Sequence, residues 1–173
     1  MRYFTLEDWL ADQEFGHPTT SAEKAEAYSA YLADVHPQLP ADFQRLLATV
    51  CIHDAALREL TVDLKGSSLT LVLDAGDVSM REPRRVRLRY EDAREIVSYA
   101  DPARGLGGQH GYGDLGYDEI ELLGDGTFEH RLLFSSGIEL AVRFARFRLD
   151  VLPLASAEIA PAVHHRLGLR NTE

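Results

Sequence analysis

The spacing of apolar residues changes once along this chain, just after Ile52, and that change constrains the fold more than any other feature. Before it, apolar side chains recur at the helical repeat of about 3.6 residues; after it they alternate with polar ones, as on a strand. Upstream, Leu6, Trp9 and Leu10 form one short stripe, Tyr28, Tyr31, Leu32 and Val35 a second, and Phe43, Leu46, Leu47 and Val50 a third. Thr5 with Asp8, and Thr20 with Glu23, have the spacing by which two side chains satisfy the free N–H groups that open a helix. Gly16-His17-Pro18 and His36-Pro37 interrupt the pattern, and Pro40 suits a helix start.

Downstream, Leu60, Val62 and Leu64 alternate with polar residues, then Leu69, Leu71 and Leu73, and then Val86, Leu88 and Tyr90. Further rows follow at Ile120 and Leu122, at Phe128, His130, Leu132 and Phe134, and at Ile138, Leu140, Val142 and Phe144. Lys65-Gly66-Ser67-Ser68, Gly124-Asp125-Gly126 and Ser135-Ser136-Gly137 have the composition of tight turns. The phase slips by one residue before Phe147, Leu149 and Val151, which is the signature of a β-bulge. Ile96-Val97 in a β context predicts a strand near residues 91–99. No helical crossover separates these rows, so the sheet is expected to be antiparallel, a meander or half-barrel. Its apolar face needs a cover, and the N-terminal helices supply one. The prediction is an α+β fold, with N-terminal helices packed on a curved antiparallel β-sheet. It is read as a single domain over 1–173: helical layer at 1–50, sheet at 55–151, glycine-rich loop at 101–117 and tail at 152–173.

Composition narrows the function classes. The 173 residues carry 28 acids against 18 lysines and arginines, a formal charge of −10. That argues against nucleic acid as a partner, since each phosphate contact needs a local cation. Charges interrupt every apolar stretch before it could span a bilayer, and the acidic start is unlike a secretion signal. A single cysteine, Cys51, fits a reducing compartment, so a cytoplasmic protein that meets no membrane is expected. About half of the excess charge lies in residues 1–49, with eight acids against three bases. Two further bands stand out. Arg81, Arg84, Arg85, Arg87, Arg89 and Arg94 crowd one strand region, and Asp114 to Glu129 holds six acids without a lysine or arginine. Cross-strand pairing between these bands across the outer sheet surface is the economical expectation.

Candidate chemistry is sparse. His53-Asp54 could be a general base with its orienting carboxylate or half of a metal site, or simply a helix-to-strand junction whose polar atoms cap backbone groups. Adjacent residues on an extended chain point to opposite faces, which argues against a shared metal. His130 sits in an inward row, either facing a ligand or buried and satisfied. The stretch 101–117 holds six of the 13 glycines, together with His110, Tyr112 and Asp114, but no helix follows it as a phosphate loop would require. Tyr117 and Asp118 open the next strand. No pattern for a nucleophilic triad, a metal cluster or a cofactor site is present.

Met1-Arg2-Tyr3-Phe4-Thr5, Ile52-His53-Asp54-Ala55, Leu71-Val72-Leu73-Asp74, Tyr117-Asp118-Glu119-Ile120, Phe128-Glu129 and Leu133-Phe134 occur in this order. In them the chain resembles a bacterial family catalogued only as a domain of unknown function, whose members begin Met-Lys/Arg-Tyr-Phe-Thr. That resemblance implies an α+β fold and carries over no activity, ligand or site residue. A looser likeness, His-Asp-Ala followed by alternating strands, is to polymorphic-toxin immunity proteins, which are small and acidic and cover a basic active site. The expectation is therefore a non-enzymatic interaction protein, immunity-like, with a protein partner. Its binding residues would be among His53, Asp54, His110, Tyr112, Asp114, Tyr117, Asp118 and His130. The alternative is a small-ligand or metal-dependent enzyme in which His53, Asp54, His110, Asp114 and His130 converge on one pocket.

Overall fold

The structure, a computed structural model, describes residues 1–8, 11, 22–99 and 112–154. Residues 6–8 are helical, and the predicted cap is formed: the Thr5 N–H donates to Asp8 Oδ2 at 2.9 Å and the Asp8 N–H to Thr5 Oγ1 at 3.3 Å. Helix α1 spans Ala22–Val35, a 3-10 turn follows at His36–Gln38, and α2 spans Ala41–Thr49 with Pro40 at its N-cap. The second and third apolar stripes face inward as their spacing requires; Trp9 and Leu10 of the first lie outside the described residues. Val35, Phe43 and Leu46 are buried, and Tyr31, Leu32 and Leu47 pack against them. No helix among the described residues is long and apolar enough to cross a membrane.

Eight strands follow among the described residues: β1 (Val50–Asp63), β2 (Ser68–Asp77), β3 (Pro83–Glu91), β4 (Glu95–Tyr99), β5 (Leu115–Leu122), β6 (Phe128–Phe134), β7 (Glu139–Phe144) and β8 (Arg146–Pro153). All pair antiparallel, in two open four-stranded sheets ordered β1-β2-β3-β8 and β4-β7-β6-β5. The sheets touch where β1 meets the start of β5, through a bridge between Ala56 and Asp114. Their facing rows interlock into one core containing Leu69, Leu71, Leu73, Val86, Leu88 and Tyr90 from the first sheet. Leu132, Phe134, Leu140, Val142 and Phe144 enter from the second, with Phe43 of α2 beside them.

Three expectations change. The slip before Phe147 is not a bulge within one strand: at Ala145 the chain leaves the second sheet and enters the first, so a new inward phase begins. The first strand starts at Val50, not beyond residue 55, and sends Val50, Ile52 and Ala55 into the core. Its distal end leaves the core instead: Val62 is exposed, and Leu64 falls in the turn beyond the strand and is exposed as well. The charge bands also do not face each other, since β3 and β5 belong to different sheets. Arg85 and Arg58 close on Asp74, while Arg89, Arg146 and Arg148 surround Glu91. Across the other sheet, Arg131 answers Glu119, Glu121 and Glu129, so that Arg143, in register with Glu129, reaches Asp125. Arg94, at the end of the arginine band, also reaches Asp125, a pair that does link the two bands.

Candidate functional site

His130 is fully buried on the inner face of β6. Alternation placed it there, and the second sheet packing on the first supplies its partners. Its Nδ1 lies 2.7 Å from the Tyr90 hydroxyl on β3 of the other sheet, and its Nε2 lies 3.1 Å from Asp118 Oδ2 on β5. The Phe43 ring meets its edge at 5.0 Å. Burial, with the nearby Asp118 charge second, pushes the Tyr90 phenol well above its ordinary pKa. The Asp118 carboxylate only accepts, which places the ring proton on Nε2, and in that tautomer Nδ1 accepts from the Tyr90 hydroxyl. Both nitrogens are thereby engaged. The arrangement orients a chain of polar groups from the core to the half-buried Asp118 and leaves the imidazole no nitrogen for a substrate.

His53 and Asp54 lie within β1 rather than at a helix-to-strand junction. They also do not diverge. Asp54 adopts a left-handed backbone at φ 64°, inside the register shift between Cys51 and Ala56, and this rotates its carboxylate back to 3.3 Å from His53 Nδ1. The His53 ring packs on Tyr117 at 5.7 Å. Tyr117 and Asp118 are neighbours on an extended strand, so they face opposite sides of β5, and so do the histidines they meet. The two described histidines therefore do not face one pocket; His110 lies outside the described residues. Among those residues no three histidines, cysteines or carboxylates are grouped as a metal site. Cys51 is half-buried, not fully buried, and burial raises its thiol pKa.

Tyr112 and Asp114 border a cleft of about 410 Å³ at the sheet junction, with Leu57, Arg58, Glu59 and Leu60 opposite. Asp114 is held by its bridge to Ala56 and by the Ser135 hydroxyl, which accepts its N–H at 3.0 Å. Gly113 has φ 73°, and a Cβ there would sit 2.3 Å from Ser135 Oγ, so this approach requires glycine.

Other polar groups here were not singled out in the sequence. Glu119 is buried and accepts the backbone N–H groups of Arg2, Tyr3 and Phe4 at 2.8, 2.6 and 2.6 Å, pinning the N-terminal segment across the outer face of the second sheet. Phe4 then stacks on Tyr117 at 5.1 Å. Tyr28 and Tyr31 of α1 turn their hydroxyls to the outward N–H groups of Ile120 and Leu122 on β5, at 2.9 and 2.8 Å. Burial, and then the charge of Asp118, pushes the Tyr28 phenol above its ordinary range. The helical stripe that contained these tyrosines was visible, but its use of their polar tips depended on which strand it would meet.

No protein-family model matches the chain, and a search of curated proteins returns no match. Among solved structures, an uncharacterized protein from Neisseria gonorrhoeae is similar at 14% identity and a TM-score of 0.39, over 61% of this chain and 96% of that one.

Proposed function

We propose that this chain is a non-enzymatic interaction protein, immunity-like in using an acidic surface to engage a basic protein partner. One observation carries the reading: the exposed face of α1 gathers three carboxylates that no described cation answers. Every described arginine except Arg81 lies within ion-pair distance of a carboxylate. Glu23, Glu26 and Asp34 occupy the exposed face of α1 and form no ion pair among the described residues. Opposite α1's exposed face, Tyr28 and Tyr31 tie the helix to β5, so this acidic face is held in a fixed orientation. Charges presented this way steer a basic partner and raise its association rate, an effect that weakens as salt screens them.

The test is a charge-neutral triple variant, Glu23→Gln/Glu26→Gln/Asp34→Asn, compared with wild type for partner capture from its own cell lysate and then for association kinetics with the captured protein. The expected result is an association rate lower by about tenfold at low ionic strength, with a shallower salt dependence. An unchanged rate and salt slope, or capture of no partner by wild type, would overturn the reading.

A further inference from the structure

The two sheets have four edges, and two of them are covered by helices. The outward N–H groups of β5 are met by Tyr28 and Tyr31 of α1. On β8, the outward N–H of Leu149 donates to Asp42 Oδ2 at 3.0 Å and its carbonyl accepts from the Arg45 guanidinium, both on α2. On β1, among the described residues, only Ala56 is bridged, to Asp114, and the exposed half beyond it carries Arg58, Glu59 and Asp63, charges that guard an edge. Among the described residues, β4 is different: all five of its residues are exposed, and three are large and apolar, Ile96 at 36%, Val97 at 46% and Tyr99 at 60%. An exposed apolar edge strand is a template for another strand.

The hydrogen-bond parity of β4 identifies the strand it fits. The Phe134 N–H donates to the Ile138 carbonyl at 2.9 Å, which turns the even-numbered residues of β7 toward β6 and the odd-numbered ones toward β4. In the β4–β7 register, Glu95, Val97 and Tyr99 lie opposite Arg143, Ala141 and Glu139, so these three spend their backbone groups on β7. The same parity, carried through β6, leaves Ile120 and Leu122 of β5 pointing outward, as their tyrosine partners show. On β4 the free N–H and C=O groups therefore belong to Ile96 and Ser98, which flank Val97 symmetrically.

We infer that β4 pairs antiparallel with β4 of a second copy of this chain, about a two-fold axis at Val97. In that register Ile96 of each copy lies opposite Ser98 of the other, which closes four N–H···O bonds and overlaps the strand over its full length. The two Val97 side chains meet at the axis as a non-hydrogen-bonded pair, the closest kind. Each Glu95 falls between Arg143 of its own copy and the Tyr99 hydroxyl of the other, so no like charges stand directly opposite. Shifting the axis to Ile96 or Ser98 shortens the overlap. The result is a continuous eight-stranded sheet whose outer edges are the two copies of β5, already blocked by tyrosine hydroxyls, so the association closes at two.

The experiment is sedimentation velocity on the full chain over a micromolar to near-millimolar series, with hydrogen exchange at both ends of it. Wild type is expected to shift from monomer to dimer, with the Ile96 and Ser98 amides gaining protection as it does. Val97→Lys sets two ammonium groups against each other at the axis and should raise the dimer dissociation constant at least about tenfold. Ser98→Pro removes an N–H that faces outward, not toward β7, and should weaken the dimer while leaving the circular-dichroism spectrum and thermal midpoint close to wild type. Wild type that stays monomeric throughout, variants that dimerise as well as wild type, or β4 protection that arises only with a different protein bound would each overturn the proposal. The α1 charge variant leaves β4 untouched, so a failure of the acidic-partner reading would not disturb this dimer, nor the reverse.

Discussion

Replacing His130 with leucine tests whether the buried chain from Tyr90 through His130 to Asp118 holds the two sheets together. Leucine keeps an apolar body of similar size beside Phe43 but removes both ring nitrogens. The Tyr90 hydroxyl, which now donates across 2.7 Å, is then left without its acceptor in a fully buried site, and a stranded buried hydroxyl costs about 1–3 kcal/mol. Asp118 is partly exposed and can turn to water, so losing its bond from Nε2 costs less, about 0.5–1 kcal/mol. The combined loss of about 2–4 kcal/mol is a fraction of the 5–15 kcal/mol typical of a domain, so the variant still folds. Tyr90→Phe alone strands Nδ1 of His130 and should cost about 1–2 kcal/mol. In the double variant neither partner remains stranded. Its cost should fall about 1–2 kcal/mol short of the sum of the single costs. Urea unfolding followed by far-ultraviolet circular dichroism measures all four species, provided the m-values agree. Costs that add to within about 0.5 kcal/mol, or a His130→Leu protein as stable as wild type, would refute the coupling.

Asp74 is buried between the Arg58 and Arg85 guanidinium groups, at 2.6 and 2.8 Å. Losing either arginine leaves one partner and should cost about 1 kcal/mol, whereas Arg58→Ala/Arg85→Ala strands a buried charge and should cost about 3–5 kcal/mol in urea titrations. Glu119→Gln keeps the shape, but because its two oxygens share the three backbone N–H groups, an amide NH2 in either orientation faces at least one of them; hydrogen exchange at Arg2, Tyr3 and Phe4 should accelerate, with a stability loss of about 1–3 kcal/mol. Asp77 accepts N–H groups from Glu82 and Arg81 and the Ser79 hydroxyl, and the Glu82 bond leads in lowering its carboxyl from 3.8 to about 2. A depressed folded pKa adds stability above the unfolded value of 3.8 and loses it as pH falls through about 2. Asp77→Asn should therefore flatten the thermal midpoint against pH in that acid window, and an unchanged acid limb would contradict the assignment.

The site was legible in part, and the legible part was the part that alternation encodes. His130 stood out because a polar residue lay in an inward row between Phe128 and Leu132, and it is buried there with its polar atoms satisfied. The same rule misled at His53 and Asp54, since opposite facing holds only for an extended backbone and Asp54 is left-handed. Tyr90 read as one more apolar position because its phenyl ring follows the row; its hydroxyl matters only once the second sheet brings His130 to it. Glu119 read as a member of an acidic band, and nothing near it in sequence announces the three N–H groups from residues 2–4 that it captures.

The amino-acid sequence by itself determined the helical layer, the antiparallel alternating strands and the inward faces of β2, β3, β6 and β7, because these follow from repeats within a few residues of one another. Only the tertiary structure decided that the strands divide into two sheets, and that Arg143 reaches Asp125 rather than Glu129. The same holds for the edges, where the helices block β5 and β8 and leave β4 exposed. Those outcomes depend on which strands become neighbours in space. A residue's local pattern fixes which face it presents, not what will stand across from that face.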